Sequence, residues 1–567
     1  MPLKSAIKPP CFTASTDQPS EAVVKAIVNI DTKLTIPTQP FSDADADVDP
    51  STEQTQSVTT YTNSVAVDSD DNRYFAYLVT KPTLVVGPDS EPVLVSQTNF
   101  ILLKYGSGCE GLIWAKYEAA TFTTDPQNFV SVGVTIDIND NPVVYYPTSA
   151  NNYAVEVLDK KCGSVISQAF ISASSIIITG IAASKTSGDI FITGLNRAQI
   201  TVEFDNEFTV VPALANQITA FILKLHFETD LNTVSGGALG SVSPFVNSGE
   251  FDAFVADHKV FVATSSSGLV GVTGIFLGPN FSVRDFTGIV SQPTTCTLTN
   301  EFTTPAAFVL TYTEALKLNS CQKIQVTSQN GSATINFDVR SIGFNWDNTM
   351  IVVVNYRTQG WIRIKIYDTT GGVREANTGS NGGLIIEYWP NSYINIASFS
   401  VTDGDAFYPM GLGFQTPRVV YDGAKQKPAS KYDFLSSKCA PNGNDSNKNN
   451  IGYAVIGSFT GKLTYGNNTI FAPSNAPSGF VIWINGCNSV LSLVNADYDK
   501  CGCDTRNAIL AAYTNSVGIT SNAELVAGGS FKVFKRNGQL IFLTRIFAMI
   551  IVLGVCGKQS ASKLCAK

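Results

Sequence analysis

Only two histidines, His226 and His258, occur in 567 residues. A His-dependent hydrolase or a typical zinc site would have to use one of them. His226 follows an apolar run and His258 opens another, so both read as turn residues on a satisfied surface rather than as catalytic groups. The chain has no HExxH, no P-loop, no GxGxxG ahead of a helix and no GxSxG elbow. Two acidic turns, Asp68–Asn72 (DSDDN) and Asp137–Asn141 (DINDN), space carboxylates so that they could collect calcium. Asp and Asn are also ordinary turn formers, and that is the preferred reading. No catalytic, cofactor-binding or metal-binding residue is assigned, no cofactor is implied, and an enzyme is not expected.

Cysteine is the remaining reactive type, with eleven copies at ordinary density. Cys109, Cys162, Cys321 and Cys487 each fall where the third and fourth strands of a repeating unit meet. They are not read as bridging one another. They read either as links to a neighbouring subunit or as a turn residue inherited by duplication. Cys501 and Cys503 follow the sixth unit, where a local disulfide with Cys487 or Cys439 and free thiols are both open. Sequons at Asn280, Asn330, Asn444 and Asn467 matter only on a secretory route.

The net charge of −8 and pI near 5.0 argue against a general nucleic-acid binder. Hydrophobic residues make up 44% and charged residues 15%, which is ample for a core under a Ser-, Thr-, Asn- and Gly-rich surface. The start, MPLKSAIKPPCFTAS, has no apolar h-region, so no secretory signal is expected. Ile546–Val555 is too short for a spanning helix and reads as a buried strand, so no membrane span is expected.

These residues must be carried by strands, because helical periodicity is nearly absent. Gly452–Val494 is the clearest stretch, with strand-like runs at Tyr453–Phe459, Lys462–Phe471, Phe480–Ile484 and Val490–Val494. Weaker copies recur. A polar turn and apolar strand open seven units, at Asp71–Val79, Asn139–Tyr146, Gly188–Gly194, His258–Thr264, Asn348–Tyr356, Gly452–Phe459 and Asn507–Tyr513. Each is followed by a strand, turn and strand, at Phe100–Trp114, Tyr153–Ile166, Phe221–Val234, Phe308–Val326, Leu384–Ile396, Phe480–Val494 and Phe531–Leu543. Trp361–Tyr367 is taken as the second strand of the fifth unit. Upstream lies an arm, 1–58, with a strand-like segment 22–37 and an acidic linker 41–57.

Motifs such as GDIFITG followed by AFILKL, or GFVIWINGCNSVLSL, resemble the SBBP-type β-propeller repeat over roughly residues 60–545. The resemblance implies an all-β fold of four-stranded antiparallel blades closed in a ring. Seven units imply a seven-bladed propeller, with six or eight blades as alternatives. The domains expected are the arm, a propeller over 59–548, and a closing strand and tail over 549–567.

The function expected is a non-enzymatic structural or interaction protein that self-associates or packs with other structural proteins. A virion, an extracellular lattice and a filament are the assemblies considered. The arm would serve through Val24, Ala26, Val28, Ile30, Leu34 and Ile36, which share one face of a strand and must add to a sheet edge. Rival readings are a ligand- or glycan-binding propeller using the central mouth or a loop face, and a propeller enzyme with acidic channel residues. The compartment is not fixed by the sequence.

Overall fold

The computed structural model describes residues 21–32, most of 65–414 apart from connecting segments, and the strands between 453 and 556. Alternating β-branched and aromatic residues between Gly-, Asn- and Asp-containing turns give strands throughout. Blade 1 is Val65–Val67, Arg73–Val79, Asn99–Tyr105 and Leu112–Ala119. Blade 2 is Gly133–Ile136, Pro142–Ser149, Asn152–Leu158 and Val165–Ser172. Blade 3 is Ile176–Ala183, Ile190–Asn196, Ile218–His226 and Thr233–Ser243. Blade 4 is Phe261–Thr264, Leu269–Phe276, Ala306–Thr313 and Leu318–Ser328. Blade 5 is Ile335–Phe344, Met350–Thr358, Asn381–Tyr388 and Ile394–Thr402. All pairs are antiparallel, and these five blades define an all-β propeller.

Two more sheets follow. One orders Ala406–Phe414, Tyr453–Phe459, Ser478–Ile484 and Val490–Asn495. The other orders Ala508–Ile519, Leu525–Arg536, Gln539–Cys556 and then the N-terminal strand Glu21–Thr32. First strands touch in sequence from blade 1 through blade 5 to Ala406–Phe414 and Ala508–Ile519, and Ala508–Ile519 touches Val65–Val67. A Cβ on Gly518 would lie 2.7 Å from Val67 Cγ2, so a side chain larger than hydrogen would crowd that contact.

Apolar side chains fill the spaces between blade faces. Phe100 and Tyr146 stack at 4.5 Å between blades 1 and 2, and Phe281 and Phe308 at 4.4 Å. Phe399 and Phe480, 5.8 Å apart, join blade 5 to the sheet after it. Phe221 is fully buried in the space between blades 2 and 3. Trp114 is half-buried against Tyr74 at 6.0 Å.

Where a blade inserts a hairpin between its second and third strands, that hairpin covers the outer edge of the preceding sheet. Ile200–Phe204 with Glu207–Val211 pairs to blade 2, and Ile362–Tyr367 with Val373–Thr378 to blade 4. Lys462–Tyr465 with Asn468–Phe471 pairs to blade 5, and Thr83–Val85 with Val93–Val95 to the N-terminal strand. Asn280–Thr287 with Val290–Thr299 forms its own two-stranded sheet beside blade 3. There a Cβ on Gly240 would lie 2.9 Å from the Phe281 ring, so glycine admits the aromatic.

This organisation corrects four sequence assignments. Trp361–Tyr367 is not the second strand of its unit; Ile362–Tyr367 leaves to pair with blade 4. Lys462–Phe471 is likewise a hairpin on blade 5, not a strand between its chain neighbours. The seven unit openers are not equivalent: His258–Thr264 holds the first strand of blade 4 and Asn507–Tyr513 overlaps Ala508–Ile519, the first strand of the last sheet, whereas the other five hold second strands. Phe531–Leu543 spans the second and third strands of the last sheet, because Gln539–Cys556 runs on as one 18-residue strand. For the two hairpins the cause is shared: pairing to a distant strand leaves no mark on local alternation.

Candidate functional site

The turn between the first and second strands is built the same way in blades 1, 2, 4 and 5. In blade 1 the Asp68 amide donates to Asn72 O at 3.0 Å, and Asp68 Oδ1 accepts from the amides of Asp70 and Asn72 at 3.0 and 2.8 Å. In blade 2 the Asp137 amide donates to Asn141 O at 2.9 Å, and Asp137 Oδ1 accepts from Asn139 and Asn141 at 2.8 and 2.7 Å. Ser265 Oγ does the same in blade 4, and the Asn345 amide closes the blade 5 turn on Thr349 O at 2.8 Å. Asp71, Asp140 and Asn348 each take φ 63° and Gly268 takes φ 81°, a conformation that Asn, Asp and Gly adopt at least cost. Asp68 and Asp137, two of the candidate calcium ligands, thus spend their carboxylates on their own turns. Burial raises the Asp68 pKa, opposed by its bonds from Asn72 and Tyr74. Among the described residues no three His, Cys, Asp or Glu converge as a metal group.

Neighbouring turns are tied across blades. Ser69 donates to Asp140 through its amide at 3.2 Å and through its hydroxyl. Lys104 Nζ and Trp114 Nε1 both donate to Lys160 O, at 2.6 and 3.1 Å. Lys185 Nζ donates to Ile136 O at 2.7 Å and Asp137 O at 3.3 Å, and desolvation of that ammonium lowers its pKa. Glu314 of blade 4 accepts from the hydroxyls of Ser184 and Thr186 in blade 3. Asp189, with its side chain 3% exposed, is met by Lys224 Nζ at 2.7 Å and His226 Nδ1 at 2.6 Å. These groups act chiefly as latches that hold one blade to the next.

A second polar group lies in the wall between blades 4 and 5. Asp338 and Arg340 sit on the first strand of blade 5, and His258 and Lys259 just before that of blade 4. Asp338 is 1% exposed, with Arg340 Nη2 at 3.0 Å and His258 Nδ1 at 3.6 Å. Burial, then repulsion from Arg340, pushes the Lys259 amine down to about 7 despite the attraction of Asp338. Sequence reasoning missed this cluster, although Asp338 and Arg340 alternate with Phe337 and Val339 inside an otherwise apolar strand. It also placed both histidines on the surface. His258 is 14% exposed by its side chain, and His226 ends a third strand against Asp189.

Cys162 lies in the expected third-to-fourth-strand turn of blade 2, exposed and free. Cys321 does not lie in such a turn. The blade 4 turn closes upstream, with the Thr313 amide on Lys317 O at 2.9 Å, and Cys321 sits inside Leu318–Ser328. There it forms a disulfide with Cys296 of the inserted hairpin, a partner that spacing did not suggest. Cys109, Cys487, Cys501 and Cys503 lie outside the described residues, as do Leu34 and Ile36 of the arm. Val24, Ala26, Val28 and Ile30 fall within Glu21–Thr32, which pairs with Gln539–Cys556 of the same chain, Val28 opposite Ile550; a register shift between Val24 and Ala26 interrupts the single face expected of them.

Exposed apolar side chains among the described residues gather on outermost strands and on the hairpins that cover sheet edges. Of the nine large exposed hydrophobics among the described residues, Ile113, Val165 and Ile166 lie on outermost strands. Phe208, Val210, Trp361, Val373 and Phe471 lie on or beside the edge-covering hairpins. Only Ile138 belongs to a first turn.

The architecture defines the class as a β-propeller. No family model and no curated protein matches the chain. Among solved structures it is similar to the β-propeller domain of Cps50 (Swd1) from Myceliophteria thermophila, at 9% identity and TM-score 0.27, covering 75% of this chain and 96% of that one. It is also similar to the uncharacterized protein lmo1340 of Listeria monocytogenes EGD-e, at 10% identity and TM-score 0.21, covering 57% and 91%. Neither likeness is close enough to carry an argument. No helix among the described residues is long and apolar enough to cross a membrane.

Proposed function

We propose that this chain is a non-enzymatic interaction propeller of seven SBBP-like blades that self-associates into a larger assembly through its rim. The observation that carries the reading is the distribution of exposed large apolar side chains among the described residues, eight of nine of which lie on outermost strands or on or beside edge-covering hairpins. Exposed hydrophobics gathered in one zone mark interaction surface, whereas single scattered ones are ordinary. The turn face, by contrast, engages carboxylates and ammonium groups such as Asp140, Lys185 and Lys224 in bonds between blades and within them. Seven blades is supported by the circuit of first-strand contacts that returns from Ala508–Ile519 to Val65–Val67. The N-terminal strand closes its own ring in this arrangement; given to a neighbouring copy, it would make the same pairs between chains.

Sedimentation velocity over a concentration series tests the proposal, comparing wild type with the triple variant Phe208→Ser, Trp361→Ser, Phe471→Ser. The wild type is expected to associate and the variant to remain a monomer with unchanged far-UV circular dichroism. A wild type that stays monomeric throughout removes the basis for self-association.

A further inference from the structure

The blades differ in what covers their outer edges. Blades 2, 4 and 5 receive a hairpin from the unit that follows, and the outermost strand of blade 3 is packed by Phe281 and Phe286 of a separate hairpin. Among the described residues, none pairs with the outer edge of blade 1. Blade 2 turns directly from Pro142–Ser149 into Asn152–Leu158, so it has no hairpin to lend, and Leu112–Ala119 ends its sheet. An uncovered edge offers alternate backbone N–H and C=O groups to another strand.

We propose that Leu112–Ala119 pairs with the same strand of a second copy, antiparallel, about a two-fold axis through Tyr117. The inference rests on the self-association reading and names the surface that performs it. Charge selects the register. An axis at Tyr117 sets Lys116 of each copy opposite Glu118 of the other, Tyr117 opposite Tyr117, and Ala115 opposite Ala119. Moving the axis one residue to Lys116 sets two ammonium groups face to face, and moving it to Glu118 sets two carboxylates face to face. Both are disfavoured for directly opposed residues. The pair is already poised, since Lys116 Nζ lies 2.6 Å from Glu118 Oε1 and 3.5 Å from Glu156 Oε2 in its own chain. Glu118 is 40% exposed by its side chain, open to a second lysine, while Lys116 keeps Glu156. The alternation of the strand puts Ile113 on the face of Tyr117 and Ala115, and Ile113 is 47% exposed. An isologous contact of this kind closes a dimer and leaves the remaining rim free for further assembly.

The test uses the full chain. Sedimentation velocity from about 1 to 100 μM measures dimer formation for wild type, Lys116→Glu, and the exchange Lys116→Glu with Glu118→Lys. Tyr117→Cys is oxidised beside a wild-type control that corrects for the native cysteines. We expect a wild-type dimer, at least a tenfold weaker dimer for Lys116→Glu, recovery in the exchange variant, and a cross-linked dimer specific to Tyr117→Cys. If Lys116→Glu fails to fold, the exchange variant and the cross-link still decide. A dimer that ignores charge reversal and gives no Tyr117→Cys cross-link overturns this edge while self-association stands. A second strand of different origin is indicated, and this inference overturned, if Tyr117→Cys cross-links only to another protein. A wild type that stays monomeric at the highest concentration overturns both readings.

Discussion

Replacing Lys259 by Met should make the pH dependence of stability flatter in the alkaline range. The lysine is 8% exposed, and its amine is held near 7 chiefly because burial disfavours the ammonium, with Arg340 adding repulsion and Asp338 opposing it. In the unfolded chain a lysine keeps its proton to about 10.4. Between these values the unfolded state binds more protons than the folded state, so stability rises with pH from about 7 to about 10. The limiting slope is about 1.4 kcal/mol per pH unit, or roughly 3 kcal/mol over the two units from 7.5 to 9.5. Urea unfolding of wild type and Lys259→Met at intervals across that range measures the difference, and groups common to both proteins cancel. The wild type should gain on the variant by about that amount as pH rises. Parallel curves would refute the reasoning, because they would mean that Lys259 holds its proton in the fold as a true ion-pair partner of Asp338.

Four further outcomes are expected. Phe281→Ala, which removes a fully buried ring stacked at 4.4 Å on Phe308, should cost about 3–5 kcal/mol in denaturant unfolding. Cys296→Ser should lower stability by about 3 kcal/mol, matched by adding reductant to wild type, since the disulfide closes a 25-residue separation. Tyr453→Phe leaves the buried Glu387 without the hydroxyl that donates to it at 2.6 Å, a loss of about 1–3 kcal/mol by the same assay. Deleting everything after Ala548 takes away the residues opposite Glu21–Asn29 and Leu525–Gly529, and size-exclusion chromatography should show aggregate in place of the native peak.

How much of this was legible depended on whether a signal was local. The polar turns were readable because Asp68 and Asp137 both write the turn and make its hydrogen bonds. Third and fourth strands such as Phe308–Val326 were readable because a tight turn joins them in sequence. Most first strands were missed, and Val65–Val67 and Gly133–Ile136 show one reason: three or four residues carry too little alternation to separate a strand from a turn flank. The hairpins had strand-like alternation, as in the burial of Ile362, Ile364 and Ile366, but nothing in that pattern says that the partner is Leu318–Ser328 and not a neighbour in the chain. The blade-to-blade latches were invisible for the same reason. Ser184 and Glu314 are 130 residues apart.

The two ends of the chain show what such non-local pairing demands. Glu21 lies opposite Cys556, and the N-terminal strand sits between Gln539–Cys556 on one side and Thr83–Val85 on the other. The last sheet therefore gains its fourth strand only when two segments far apart in sequence meet. Contacts of that sequence separation form late and slowly, since loop closure precedes any gain from the pairing. During that interval Gln539–Cys556, which contains IFAMIIVLGV, presents an apolar strand with one edge unpaired. A second unfinished copy can offer its own N-terminal strand to that edge in the register that the closed ring uses. The segment that completes the ring within one chain is thus also the segment through which unfinished chains would join, and which of the two happens is set by concentration during folding.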